Sequence, residues 1–299
     1  MAPSLSILAP THNRPDVLAK VWPTWLMQEG LSEIVVVDDG STNDYTAVFS
    51  QLADACARHG ILLKIVRLHR RKGAPAAKNA GLGQCTSDEI LTTDDDVLLT
   101  CNLVAQCRKE RPSNMPHVIC GPRVIYLELG ESQEDARLRA DRETAAYFNY
   151  RKLTVTPWAN PKRVTRYPFI TAIALWPRSL FDSGLRYFEN YGGNGFREET
   201  DPQIRAQVDF NAQVYLIPSA ECFHLPASVA YANRGGQRRG GHLWFEFWVL
   251  VNNGKFIARY QTELRSRFEI RPWSTWVLLA LSRFSPHRVA RFANKLRGS

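Results

Sequence analysis

A largely apolar run, Glu89-Ile90-Leu91-Thr92-Thr93, ends in three consecutive aspartates, Asp94-Asp95-Asp96, and resumes at once as Val97-Leu98-Leu99. An apolar run without alternation reads as a strand buried on both faces, and the carboxylates then stand at its C-terminal tip. In open α/β sheets that is the edge where ligands bind. Three adjacent carboxylates repel one another unless a cation balances them. A cluster of hard oxygen ligands suits Mg²⁺ or Mn²⁺, ions that accompany phosphate-bearing substrates. This segment alone leaves a second reading open, an aspartate-rich turn capping the next helix.

The preceding residues alternate strand and helix patterns, the signature of a mostly parallel sheet with helices on both faces. Leu5 to Ala9 reads as the first strand, and Pro15 and Asp16 open a helix with the stripe Leu18, Val21, Trp22, Trp25 and Leu26, kinked at Pro23 and closed by Gly30. A strand over Ile34 to Val37, a helix over Val48 to His59 and a strand over Ile61 to Leu68 follow. Beyond the aspartates, Leu103 to Arg111 reads as helix and His117 to Cys120 as strand. The charge-dense stretch 131–152 reads as a solvated helix, and strands return at Phe169 to Leu175 and Val214 to Ile217.

The net charge of +9 is unevenly placed. Residues 1–230 hold 25 Lys and Arg against 26 Asp and Glu, whereas residues 231–299 hold 13 against 3. A basic C-terminal part calls for an anionic partner such as lipid head groups or a nucleotide pyrophosphate, or else it is a solubilising tail. Nucleic acid is disfavoured, because aromatic residues do not interleave with these charges. No N-terminal signal pattern is present and the longest apolar stretch, Trp276 to Leu281, is too short to span a bilayer, so a cytoplasmic protein is expected. The six cysteines have no paired spacing and are expected to be reduced core residues.

Four polar signals follow strand-like runs: Ala9-Pro10-Thr11-His12-Asn13-Arg14, Val37-Asp38-Asp39-Gly40-Ser41, Arg71 to Gly81, and the triple aspartate. As a set they resemble the donor half of inverting family 2 glycosyltransferases of the GT-A fold, over roughly residues 4–225. The resemblance implies that Asp39, with Asp38 close behind, contacts the nucleoside, and that Pro10, Thr11, His12 and Arg14 wrap the base. Asp94 and Asp96 match the outer carboxylates of a D-x-D motif that bridges the donor diphosphate to Mg²⁺ or Mn²⁺, with Asp95 between them. Lys78 stands where the family often has arginine and would face the donor, or else be a solvated helix residue.

The same resemblance extends to Glu198-Glu199-Thr200-Asp201 with Arg205, after the loop Gly192-Gly193-Asn194-Gly195. It gives Glu199 the position of the catalytic base, with Glu198 and Asp201 as alternatives. An ionised Glu at a helix N-terminus would suit proton removal from an acceptor hydroxyl. His224 is a candidate third metal ligand or a structural histidine. The cationic stretch 233–242 reads as a lid or a solvated loop. The stripe Trp273, Trp276, Val277, Ala280, Leu281 and Phe284 fits a helix lying on an anionic membrane or one packed on the core.

The sequence therefore predicts a GT-A type α/β domain over 1–230, with a donor half over 1–125 and an acceptor half over 126–230. A basic lid and helical extension would cover 231–299. The expected activity is metal-dependent, inverting transfer of a sugar from a nucleoside diphosphate sugar to a hydroxyl acceptor that is a glycan, lipid-linked or small. A sugar nucleotidyltransferase would share the sheet and its carboxylates, but it should have a glycine-rich loop after the first strand, and Ala9 to Arg14 contains no glycine. A non-catalytic nucleotide-binding protein would not need acidic groups at both positions.

Overall fold

The computed structural model describes residues 2–230 and 241–283. The chain opens with β1 (Leu5–Thr11), α1 (Pro15–Val21), β2 (Leu31–Asp38), α2 (Thr46–His59), β3 (Leu62–Arg67), α3 (Ala74–Leu82) and β4 (Glu89–Thr92). Next come β5 (Val97–Leu99), α4 (Leu103–Glu110), β6 (Val118–Tyr126), α5 (Gln133–Arg142), β7 (Phe148–Asn149), β8 (Thr154–Val155), β9 (Thr165–Arg166) and β10 (Ala174–Pro177). The remainder is α6 (Arg178–Asp182), α7 (Thr200–Asp209), β11 (Gln213–His224), α8 (Ala227–Ala230), α9 (His242–Phe268) and α10 (Pro272–Arg283).

The main sheet runs β3-β2-β1-β4-β10-β6-β11-β5, with β9 also on β11. The first four strands are parallel, whereas β10 is inserted antiparallel between β4 and β6. Lack of alternation in β1 and β2 has a simple cause: both sheet faces are covered. Leu8, Val35 and Val37 enter the core on the face shared with α3, while Leu5, Ile7, Ala9, Ile34 and Val36 enter the one holding α1 and α2. The helix expected to kink at Pro23 and run on to Gly30 instead ends at Val21, and the chain continues as a 3₁₀ turn over Trp22–Met27.

Three further expectations change. The helix expected over 131–152 is confined to α5, capped by Ser132, whose hydroxyl accepts from the Asp135 amide at 3.1 Å. Tyr147 and Phe148 then leave the helix to join an aromatic cluster with Tyr167 and Phe169. The strand expected from Phe169 begins only at Ala174, because the Gln203 side chain takes over the backbone of Ile170 and Thr171. Its Oε1 accepts from the Ile170 amide at 2.8 Å, and its Nε2 donates to the Ile170 and Thr171 carbonyls. Conversely β11 continues past Pro218 through an irregularity between Ile217 and Glu221, and it reaches His224.

The C-terminal helices are packed on the domain. Phe256, Ile257, Tyr260 and Leu264 of α9 are buried in the same core as Leu8 and Trp176. Trp276 of α10 donates to the Leu250 carbonyl at 3.1 Å. The basic stretch read as a lid, 233–242, lies outside the described residues except at its final two positions, as does the chain after Arg283. All six cysteines are free, and all but Cys101 are buried. No helix among the described residues is long and apolar enough to cross a membrane.

Candidate active site

The tips of β1, β2 and β4, the tip of β6 and the loop before α7 enclose one open cavity of about 310 Å³. From β1 it takes Pro10, His12 and Arg14, from β2 Asp39, from α3 Lys78, and from the acidic turn Asp94, Asp95 and Asp96. The loop before α7 supplies Glu198 and Glu199, and the end of β11 supplies His224, beside Asp96. Sites separated by more than a hundred residues thus meet at the C-terminal edge of the sheet.

The three aspartates have different surroundings. Asp95 is fully buried: Thr11 donates to its Oδ2 at 2.6 Å, and Arg14 Nη2 binds its Oδ1. Burial pushes the Asp95 carboxyl above the usual carboxylate range, with Arg14 opposing the rise. Asp96 accepts from Arg14 Nη1 at 2.8 Å and faces His224 Nε2 across 3.5 Å. Asp94 is the most open of the three, its side chain 37% exposed, with Lys78 Nζ 3.8 Å away. Asp95 is therefore an internal anchor, while Asp94 and Asp96 face the cavity.

His224 is held by its other nitrogen. Its Nδ1 lies 2.7 Å from the Leu225 carbonyl oxygen, which can only accept, so the proton sits on Nδ1. Nε2 then faces Asp96 Oδ1, and the ring stacks on Tyr126 with centroids 4.8 Å apart. With Nε2 unprotonated, His224 and Asp96 would offer two ligand atoms side by side to a cation, and a carbonyl-anchored histidine is the usual outer arrangement of a metal ligand. No group of three His, Cys, Asp or Glu side chains among the described residues forms a preassembled cage. Substrate oxygens would complete the shell, as is common for Mg²⁺.

Lys78 is buried, not solvated. Burial works against its charge, but Asp94, Tyr187, Glu198 and Glu199 outweigh it, and the net shift is upward. It is a fixed cation beside the acidic turn. Asp39 accepts the Lys72 and Gly73 amides at 2.7 and 2.9 Å and so fixes the loop that opens α3. Gly40 (φ +65°) is needed here, since a side chain would strike the backbone of Arg70 and Arg71. Asp38 is not a lining residue: it accepts the Ser41 amide at 2.8 Å and pairs with Arg67 at 3.3 Å. The Arg14 amide donates to Tyr45 Oη at 2.8 Å, and the Thr11 hydroxyl serves Asp95, so the bracing falls to these two and the cavity rim to Pro10 and His12.

Glu199 is the N-cap residue of α7, yet its side chain makes no capping bond. Burial raises its pKa, with Lys78 and the residue's own amide opposing and Asp94 adding to the rise. The expected depression by the helix terminus is overcome by desolvation, which moves the carboxylate toward the range of a neutral-pH base. Asp201 is turned away from the cavity: Tyr191 donates to it at 2.9 Å, and Arg259 lies 3.4 Å off. The glycine loop before Glu198 is roofed by Trp248, whose ring occupies the space of a Cβ on Gly193 (φ +60°). Sequence reading missed Trp248, and also Tyr126 and Arg197. Arg197 is buried among Phe169, Phe196 and Phe256 and donates to Asn253 at 2.8 Å. Its position directly before the acidic pair was the one available signal.

Residues 6–167, more than half of the chain, match the family model described as Glycosyl transferase family 2. The chain belongs to that family. This glycosyltransferase is 31% identical over 97 residues to an undecaprenyl-phosphate 4-deoxy-4-formamido-L-arabinose transferase of Sodalis glossinidius, an alignment covering 31% of the chain and 29% of the relative. It is 30% identical over 95 residues to the succinoglycan biosynthesis protein ExoO of Rhizobium meliloti, covering 31% of the chain and 26% of that protein. The matches thus span under a third of these relatives' length. Among solved structures, the mannosyltransferase PcManGT of Pyrobaculum calidifontis, in complex with GDP-Man and Mn²⁺, superimposes with a TM-score of 0.58 at 17% identity, covering 99% of the glycosyltransferase and 80% of PcManGT. S. aureus TarS 1–349 with UDP-GlcNAc gives 0.53 at 12% identity, over 85% and 66%. The fold of the glycosyltransferase is that of GT-A enzymes.

Proposed function

We propose that the enzyme transfers a sugar from a nucleoside diphosphate sugar to a hydroxyl acceptor with inversion, and that it uses Mg²⁺ or Mn²⁺. The observation that carries this reading is the one cavity lined both by Asp94, Asp96 and His224 and by the half-buried, uncapped Glu199. A divalent cation bound there would neutralise charge developing on the departing diphosphate. Asp94, Asp96 and His224 would hold it. Lys78 adds a fixed positive charge beside the same group. Glu199 takes the proton of the acceptor hydroxyl as that oxygen attacks the anomeric carbon from the face opposite the nucleotide. Glu198 shares the cavity and is the alternative base, whereas the partners of Asp201 assign it to bracing α7. Asp39 and the Pro10–His12 rim face the nucleoside, with Asp38 behind them.

A peripheral contact with anionic membrane through 271–299 fits α10, where Trp273, Val277 and Leu281 recur at four-residue spacing and are exposed. Val277→Asp with Leu281→Asp should lower binding to anionic vesicles; unchanged binding would end that part of the reading. The activity itself is tested with a panel of nucleotide sugars and Mn²⁺. One donor should turn over, and Asp96→Ala should remove turnover and metal-dependent nucleotide binding together. A protein that shows neither with any donor is not working as proposed.

A further inference from the structure

Within α9 the chain reads Asn252-Asn253-Gly254, residues poorly suited to the interior of a 27-residue helix. Both asparagines are fully buried, where an amide is costly unless it is hydrogen-bonded. Their bonds leave the helix and hold both ends of the loop 192–197, which leads into Glu198 and Glu199. At its start Asn252 Oδ1 accepts the Gly192 amide at 3.2 Å, and Asn252 Nδ2 donates to the Gly192 carbonyl at 2.8 Å and to Asn194 Oδ1 at 3.3 Å. Asn194 returns to the helix by donating to the Phe245 carbonyl at 3.0 Å. At its end Asn253 Oδ1 accepts from Arg197 Nε at 2.8 Å. An arginine nitrogen can only donate, so this bond fixes which way the Asn253 amide faces. The amide's Nδ2 is left buried without a hydrogen bond among the described residues, so the side chain serves Arg197.

Arg197 is the step between this pair and the proposed base. Its φ of +81° lies in the left-handed region, which a residue other than glycine keeps only when its surroundings impose it. Asn253 and the Leu153 carbonyl hold its side chain. The Arg197 carbonyl accepts the Thr200 and Asp201 amides at 3.1 and 3.0 Å and so begins α7. Glu199 lies between these bonded residues, and its side chain makes no bond to the start of the helix. The aim of its carboxylate therefore follows the backbone that Arg197 sets.

We infer that Asn252 and Asn253 are positioning residues for the reaction: they fix the loop 192–197 at both ends and, through Arg197, the aim of Glu199. The inference rests on the transferase reading above, since it needs Glu199 to be the base. Packing under Trp248 alone would leave a loop with Gly192, Gly193 and Gly195 many conformations. Successive helix residues point about 100° apart, so an adjacent pair reaches both ends of the loop where one side chain could not.

The test uses the full chain, the donor that turns over in the nucleotide-sugar panel, and UDP or GDP with Mn²⁺ as binding probes. Asn252→Ala and Asn253→Ala should each lower kcat by about 10- to 10²-fold, the scale of an ångström-sized misplacement. KM for the donor and Mn²⁺-dependent affinity for the nucleoside diphosphate should stay within about twofold of the parent, because the donor side is untouched. Asn253→Asp keeps an acceptor for Arg197 and should restore most of kcat. Hydrogen exchange read by mass spectrometry needs no variant: in the parent, amides of 192–201 should exchange as slowly as those of α9 around Asn252. Parent-like kcat in both alanine variants, nucleotide binding lost along with kcat, Asn253→Asp no better than Asn253→Ala, or a fast-exchanging loop in the parent would each overturn the inference. A parent that turns over no donor would sink the transferase reading, whereas a working parent matched by its alanine variants would sink only the positioning role.

Discussion

Replacing Glu199 with Gln should make the protein more stable and far less active. Burial raises the Glu199 carboxyl above its ordinary value of 4.5 in the folded state. The fold therefore favours the protonated form, and stability falls as pH rises from the unfolded value through the folded one, staying lower above it. Each unit of that rise costs about 1.4 kcal/mol at neutral pH. Gln keeps the shape and carries no charge, so it removes this cost, and the absence of a capping bond means that nothing else is lost at the start of α7. In a domain of this size each recovered kcal/mol lifts the melting temperature by about 2 to 4 °C. Removing a general base lowers transfer by roughly 10²- to 10⁴-fold. Thermal unfolding at pH 5 and pH 8 is the assay: the variant should gain over the parent at pH 8 and lose most of that advantage toward pH 5, while binding nucleoside diphosphate as the parent does. A Gln variant that is less stable at pH 8, or that transfers normally, would refute the assignment of a desolvated carboxylate base.

Other perturbations are equally specific. Arg123 is buried and joined to Glu221 at 2.9 Å, Asp141 at 2.8 Å and the Trp158 carbonyl, so Arg123→Met should cost about 3 to 5 kcal/mol in urea unfolding by stranding those acceptors. Gly193→Val should displace Trp248 and, through the loop that carries Glu198 and Glu199, reduce transfer more than nucleotide binding; a fully active variant would show that the roof over that loop is dispensable. His224→Ala should weaken Mn²⁺-dependent nucleotide binding by at least tenfold in titration calorimetry, and metal-independent binding should not change.

Much of the donor side was legible because each polar cluster follows an apolar run, and a run buried on both faces can end only at a sheet edge. Asp39, Asp94 and Asp96 stand after such runs, whereas Lys78 and Glu199 came from the resemblance to the family, and all five line one cavity. What stayed hidden depends on distant partners. β6 carries Pro122 and Arg123 in its middle, which looks like the end of a strand until Glu221 and Asp141 neutralise the arginine; its tip residue Tyr126 was lost with it. The backbone of 169–173 is apolar enough for a strand, but Gln203 holds it in another shape. The roof of Trp248 over Gly193 joins residues 55 positions apart, and no local pattern announces it. Arg14 read as a nucleoside contact because of its motif, and its pairing with Asp95 and Asp96 appears only when β1 and β4 lie side by side.

The most direct test of the central claim is the anomeric configuration of the product. With the active donor, Mn²⁺ and an acceptor alcohol, proton NMR of the reaction followed from its first minutes should show the new glycosidic bond with the anomeric configuration opposite to that of the nucleotide sugar. A product that retains the donor's configuration would contradict a single displacement assisted by Glu199.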